Sequence, residues 1–436
     1  MSGLVQLFYP FGLLLVLLAG ASLFFGADTP MTSFLFSGAL LLLAGVKLVT
    51  GKSVALPPPV PLVLSLLVVS FTFDAISGRT VFAMNHYAIM AAAMAVYILA
   101  EAQARRTKDI GHLWQAMLVV HLLISIWAFA DFTLNPDMIH GQPRPYHQDR
   151  LSAAFLSANT AATFFGITLL VATASILRAL RKVVSLSPVA LVESLFRHGM
   201  LGVVTFLFAA VCLVLTASRA GLTFTLLCLV LLFVWETLAR RKSVARDGQS
   251  FSLVRVAVIS LAGLGVAAIF FWNLSGDVAG ARYADLDEDA NMRLVMFSAY
   301  WEAFLAKPLT GYGFGSFSAV NDMIMTSENA HILATQGAAH NVVLQWLLQV
   351  GIVGFLAALA VTGWMLLIVW QGLRQRRNTT HLRTILIITL FVLLHGQVDY
   401  ALEIPGLMWW WILLLGLGAG ITGRAKKRKS RRPANA

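Results

Sequence analysis

The chain has 436 residues, 58% of them hydrophobic and only 12% charged, with a net charge of +12. Water-soluble chains carry roughly 25% charged residues, so a soluble globular protein is excluded. The composition is that of an all-α polytopic membrane protein, in which each backbone polar group crossing the hydrocarbon must be satisfied within a helix.

Twelve apolar runs approach the roughly 20 residues a helix needs to cross a bilayer. They lie near 5–25, 32–50, 58–73, 81–100, 113–131, 151–177, 199–217, 221–238, 255–273, 341–371, 384–402 and 405–423. The first lacks a basic leading segment and is followed by further spans, so it reads as a retained helix rather than a cleaved signal. His121 and His395 fall inside spans and read as packing or hydrogen-bonding residues. Cys212 and Cys228 also fall inside spans, as small apolar residues, and supply neither a disulfide framework nor a metal-binding cluster.

Two loops are long, near 132–150 and 273–340, and long loops in compact proteins are commonly functional. Arg144 and Arg150 end the first. Arg219 stands in the turn TASRAG between two spans, where a cation is costly unless it meets an anion: a headgroup, Asp399 or a substrate. In the second loop the acids Asp285, Asp287, Glu288 and Asp289 precede a segment that reads as a helix to about Ala306, capped by those acids. Their spacing matches no metal-binding loop. Leu294, Phe297, Trp301, Phe304 and Leu305 recur at helical intervals, which predicts an amphipathic helix on the bilayer surface. Pro308 stops it. The following GYGFGSF has neither the preceding strand nor the following helix of a dinucleotide fingerprint, and reads as a tight turn where backbone approaches backbone.

The polar stretch ends at His340-Asn341, just as an apolar run resumes. Imidazole titrates near neutrality, so a histidine at that junction is a candidate general base. All but seven of the 32 basic residues lie in the loops of one face or in the tail 424–436; the seven are Arg79, Arg144, Arg150, Arg219, Arg282, Arg293 and Lys307. By the positive-inside rule both termini are cytoplasmic and the 273–340 loop is external. The tail reads as a headgroup-binding, stop-transfer segment rather than a nucleic-acid patch. No internal repeat is visible, so 1–436 reads as one membrane domain.

Arginine forks suit phosphate oxygens, and a base beside a bound phosphate can activate an acceptor hydroxyl. That combination describes glycosyl transfer from a lipid carrier. A transporter of lipid-linked glycans would more often show charges at mid-span or paired repeats.

The residues Ser218 to Gly221, Arg293 to Phe317 and His340 to Gly354 resemble, in order, the motifs of the O-antigen ligase and polymerase superfamily. The resemblance implies a GT-C-like glycosyltransferase in a bacterial inner membrane, with about 12 transmembrane helices and one large periplasmic loop containing amphipathic helices. Its implied donor is an undecaprenyl-pyrophosphate-linked glycan, its implied acceptor the lipid A core oligosaccharide, and it implies no cofactor, nucleotide sugar or metal. Membrane lipids are the further implied partners, and nucleic acid is not one. By motif, His340 would be the general base, Arg219 and Arg150 would bind the donor pyrophosphate, and Arg293, Asn341 and Asp399 would support them. Gln349 departs from the pattern, since many relatives have glutamate there. The resemblance favours the ligase over the repeat-unit polymerase and the protein O-glycosylating members, with an inverting outcome.

Overall fold

The computed structural model describes residues 2–50, 56–78, 80–144, 149–181, 187–244, 286–375 and 379–430. In chain order the helices are α1 Ser2–Leu23, α2 Pro30–Thr50, α3 Pro59–Ile76, α4 Thr80–Arg106, α5 Ile110–Leu134, α6 Ala158–Leu180, α7 Pro188–His198, α8 Met200–Leu215, α9 Arg219–Val244, α10 Leu286–Ala306, α11 Phe317–Ile324, α12 Ala330–Leu333, α13 Val342–Gln375, α14 Thr380–His395 and α15 Pro405–Ser430. The strands among the described residues form one small antiparallel hairpin, β1 Met138–Ile139 with β2 Gln142–Pro143. This is an all-α polytopic membrane protein. Eight described helices are long and apolar enough to cross a bilayer, or nine if the bent pair α7–α8 is one span. The expected span near 255–273 lies outside the described residues, and the apolar stretches Pro10–Leu23 and Thr380–His395 are shorter.

The helices pack as two compact units, residues 1–110, 284–375 and 396–436 in the first and 111–283 and 376–395 in the second. In the first, α15 lies against α4 along a line of small residues. A Cβ on Gly416 would fall 2.7 Å from the Tyr97 carbonyl, and one on Gly420 would fall 2.4 Å from that of Glu101. Without a hydrophobic force between helices in lipid, such close backbone approach supplies much of their attraction. The adjoining tryptophans bury their rings and still satisfy their N–H groups: Trp410 donates to Ser22 Oγ (2.9 Å) and Trp409 to the Ile89 carbonyl (3.3 Å).

In the second unit α6 is the central helix, buried along nearly its whole length. It starts at Ala158, seven residues later than the apolar pattern suggests. The Leu151 N–H is taken by the Leu215 carbonyl, Ala153 and Leu156 adopt left-handed backbone, and Ser157 then caps the helix by accepting from the Thr160 N–H. His121 and His395 do serve as hydrogen-bonding core residues: His121 Nδ1 meets Thr168 Oγ1 and His395 Nδ1 meets Thr163 Oγ1, each at 2.6 Å. Both cysteines are buried and free. The short α7, which the charge count treats as loop, forms because Ser187 caps it and Pro188 occupies its first turn. It meets α8 at 87°. At the far end of α6, Glu236 accepts from Arg383 Nε and from Arg181, so one buried carboxylate joins α6, α9 and α14.

Gly420→Leu adds no polarity, so insertion should proceed, but the side chain collides with the α4 backbone. The thermal midpoint of the purified protein in detergent should drop, by the equivalent of about 1–3 kcal/mol or more. An unchanged midpoint would mean that α4 and α15 are not in backbone contact.

Candidate active site

In the first unit the site is built around a break in α13. Gly351 sits at φ 63°, ψ −173°, which interrupts the helix inside what the sequence presents as one uninterrupted span. A break frees carbonyls before it and N–H groups after it, and each must find a partner away from water. The segment after α10 supplies them. Tyr312 and Gly313 donate their N–H groups to the carbonyls of Leu348 (2.8 Å) and Gln349 (2.9 Å), while Ile352 and Val353 donate to those of Pro308 (2.8 Å) and Leu309 (3.3 Å). The glycine-rich run is thus the expected close backbone approach. Gly311, Gly313 and Gly315 all have positive φ, and a Cβ on Gly351 would lie 2.3 Å from the Leu309 carbonyl oxygen. From Ile352 to Gln375 the remaining helix is still long enough to cross roughly 30 Å at about 1.5 Å per residue.

The part of α13 before the break therefore serves to present its N-terminus. Asn341 is its cap: Oδ1 accepts from the Val343 (2.9 Å) and Leu344 (3.0 Å) N–H groups, and Nδ2 donates to the Gln397 carbonyl (2.9 Å). The Val342 N–H bonds to the Gly396 carbonyl at 2.7 Å. These bonds hold residues 396–399 against the start of α13 and explain why the expected span 384–402 is helical only to His395. They also bring Asp399, fully buried, to His340, with Oδ1 at 3.9 Å from Nδ1. That separation is an ion-pair distance rather than a hydrogen bond. The Tyr400 ring meets the imidazole edge-on, with centroids 4.8 Å apart.

His340 has φ 51°, a left-handed backbone that a non-glycine residue adopts only under constraint. The constraint comes from both sides, since Gln345 Oε1 accepts the N–H of Ala339 (2.7 Å). Burial, and then the charge of Arg293 on α10, push the His340 pKa down to about 4. Near neutrality the imidazole is uncharged, the state a base requires. His340, Asn341, Asp399 and Arg293 are thus gathered within one unit.

Helix α10 ends at Ala306, as the sequence predicts, but its apolar residues divide between two faces. Met296, Tyr300, Ala303 and Phe304 pack into a core with Phe317, Leu333, Leu344 and Leu348, while Leu294, Trp301 and Leu305 are exposed. The single stripe expected from the spacing is not a single face: Phe304 is buried beside the protein, and Leu294, Trp301 and Leu305 face outward. Of the acidic cluster, Asp285 lies outside the described residues, as do the side chains of Asp287, Glu288 and Asp289.

Arg219 and Arg150 belong to the second unit. Arg219 opens α9, and the turn before it is tightly held: Thr216 Oγ1 accepts from the Ser218 N–H, Ser218 Oγ accepts from the Gly221 N–H, and Ala217 has φ 46°. Gly221 lets α9 approach α6, since a Cβ there would fall 2.6 Å from Ala162 Cβ. Arg150 is buried. Its Nε donates to the Thr216 carbonyl (2.8 Å) and its Nη2 to Asn159 Oδ1 (3.1 Å), so it grips the turn that presents Arg219. Arg144 is buried too, bonded to the carbonyls of Pro136 and Met138 and to Ser152 Oγ. Sequence reasoning left out Gln345 and Asp74. Gln345 stands one turn before Gln349 on an apolar helix, a spacing that marks a shared polar face. Asp74, on α3, accepts from the Tyr87 hydroxyl and the Phe314 N–H, and carries no such signal. Among the described residues no group of three or more His, Cys, Asp or Glu side chains is arranged to hold a metal ion.

Two outcomes follow from this geometry. Asn341→Ala should cost about 1 kcal/mol of stability through loss of the cap, with Asn341→Asp recovering most of it, as read from thermal unfolding in detergent. His340, followed by its carbethoxylation rate in peptide mass spectrometry, should stay reactive well below pH 6.5 and lose reactivity only as pH falls toward about 4; a midpoint at or above 6.5 would contradict its burial beside Arg293. The same depressed pKa favours the folded state above pH 6.5, a contribution lost as pH falls through about 4.

None of the curated proteins compared with the chain matches it. Residues 204–359 match the family described as O-antigen ligase. The matched stretch holds the Arg219 turn, the glycine-rich loop with the Gly351 break, and His340-Asn341, and it places the chain in the O-antigen ligase and polymerase superfamily.

Proposed function

We propose that this protein is a metal-independent, inverting glycosyltransferase that ligates O-antigen polysaccharide from undecaprenyl pyrophosphate onto lipid A core oligosaccharide, at the periplasmic face of the inner membrane with both termini cytoplasmic. The observation that carries the reading is His340. It is held in a strained backbone at a capped helix start, neutral near pH 7, with Nδ1 turned toward a buried carboxylate. That orientation puts the proton on Nδ1 and leaves the Nε2 lone pair to act as base.

In this reading Nε2 accepts the proton of an acceptor hydroxyl as its oxygen bonds to the anomeric carbon of the lipid-linked sugar. The bond from that carbon to the pyrophosphate oxygen breaks, and undecaprenyl pyrophosphate leaves with the electron pair. Asp399 stabilises the imidazolium that forms. Arg219, at a helix start where the backbone N–H groups also favour an anion, binds the pyrophosphate; Arg150 contributes by fixing the turn. Arg293 adds positive charge near His340 and keeps it unprotonated before the acceptor arrives.

His340→Ala should reduce transfer by about 100-fold to 10,000-fold while leaving membrane insertion intact. A purified His340→Ala protein transferring glycan at the normal rate would sink the proposal. Arg219→Lys should also be impaired, because it keeps the charge but loses the fork. A lipopolysaccharide gel of a strain lacking the protein separates ligase from polymerase: bare core is expected here, whereas core bearing one repeat would mean polymerisation.

A further inference from the structure

Beyond the residues the motifs supply, one carboxylate ties the pieces of the His340 site together. Glu403 lies in the short 3-10 turn Ala401–Glu403, four residues after Asp399. Its side chain accepts hydrogen bonds from Gln345, Trp346 and Gln349, all on the segment of α13 before the Gly351 break. Each glutamine also reaches onward with its carbonyl oxygen. Gln345 Oε1 takes the Ala339 N–H (2.7 Å), next to His340, and Gln349 Oε1 takes the Gly315 N–H (2.6 Å), in the glycine-rich loop. The indole of Trp346 packs on Phe314, in that same loop, with centroids 5.7 Å apart. One side chain thus fixes which way both amides point, and through them the residue before His340 and the loop that closes the helix break.

We propose that Glu403 is a positioning residue for His340: its ionised carboxylate collects the Gln345, Trp346 and Gln349 donors and so holds the Ala339–His340 backbone and the Gly315 loop in their active arrangement. The inference rests on the assignment of His340 as the base. A carboxylate accepts all three N–H groups, whereas a carboxylic acid must turn one oxygen into a donor, so protonation reorganises the set. Burial, reinforced by the nearby Asp28 carboxylate, raises the Glu403 pKa to about 7, against the lowering effect of its three donors. Asp28, between α1 and α2, is the titratable group whose charge reaches it; the three side chains facing it from α13 do not ionise. The reorganisation therefore falls in the neutral range, ionised and ordered above about pH 7, protonated and loosened below it.

The test follows His340 directly. In the full-length protein in detergent, the carbethoxylation rate of His340 is measured by peptide mass spectrometry between pH 5.5 and 8.5, with glycan transfer assayed in the same preparations. His340 itself stays deprotonated across this range, so a step in its reactivity near pH 7 reports a neighbour. The wild type should show that step, and Glu403→Gln should abolish it and lower kcat by roughly 10-fold to 100-fold, the scale of a displaced catalytic group, with little change in KM. Trp346→Phe keeps the ring but removes one donor to the ionised form, so it should move the step to higher pH, a shift that loss of packing alone would not produce. A Glu403→Gln protein with the wild-type step overturns the proposal. So does a Trp346→Phe step that stays in place, which remains decisive if Glu403→Gln fails to fold. A wild type that shows the step but transfers no glycan would defeat the proposed activity and leave the role of Glu403 standing.

Discussion

The site depends on the requirement that no backbone N–H or C=O be left unpaired where water is scarce. A break at Gly351 releases carbonyls at Leu348 and Gln349 and N–H groups at Ile352 and Val353, and a membrane protein tolerates this only if other protein backbone answers each one. The Pro308–Gly313 segment does so, and its glycines are what allow it near enough. Once that docking is made, the stretch from Val342 to Val350 is free to differ in direction from the spanning part of α13. Its capped start then becomes a platform for His340.

Seen this way, the residues of the motif divide by physical role. Asn341 satisfies the helix start and ties it to Gln397, which delivers Asp399. Gly311 and Gly351 permit the backbone pairing. Only His340 is left with a conformation that serves no packing purpose, a left-handed backbone with a neutral ring set between Tyr400 and Asp399. A residue held at such a cost by its neighbours points to function, since strained backbone persists only where surrounding structure over-determines it. The second unit repeats the arrangement with a cation. Arg150 spends its donors on the Thr216 carbonyl and Asn159, and the turn it grips carries strain at Ala217 while presenting Arg219.

Much of this was legible in the residues, and the limits have physical causes. Hydropathy marks helices wherever a run is apolar, so it found α1 to α6 and α13 to α15 within a few residues at most ends. It could not see the break at Gly351, because a glycine in an apolar run looks the same whether the helix continues or stops. It also overran α14, since Leu393 to Tyr400 is ended by bonds to Asn341 and Val342 and not by any local breaker. Helical spacing placed α10 and its end at Ala306, yet assigned Phe304 and Trp301 to one face when the structure buries the first and exposes the second. A single period cannot reveal a helix that is apolar on both sides, one toward protein and one outward. His340 was found from its position alone. Its surroundings were not, because Gln345, Glu403 and Asp74 act through bonds to backbone that only the folded loop brings near.

The same logic accounts for Gln349, the position at which this chain departs from the pattern of its relatives. Its Oε1 takes the Gly315 N–H while its amide donates to Glu403, so the position must both accept and donate. Glutamine meets both demands with one side chain. An ionised glutamate could accept from Gly315 but would face Glu403 with like charge, and two buried carboxylates at hydrogen-bonding distance cannot both stay ionised. Glutamine at 349 and glutamate at 403 are therefore a matched pair. The negative charge sits on the 3-10 turn, while both helix positions, 345 and 349, stay neutral and free to bridge it to the loop and to the residue before His340.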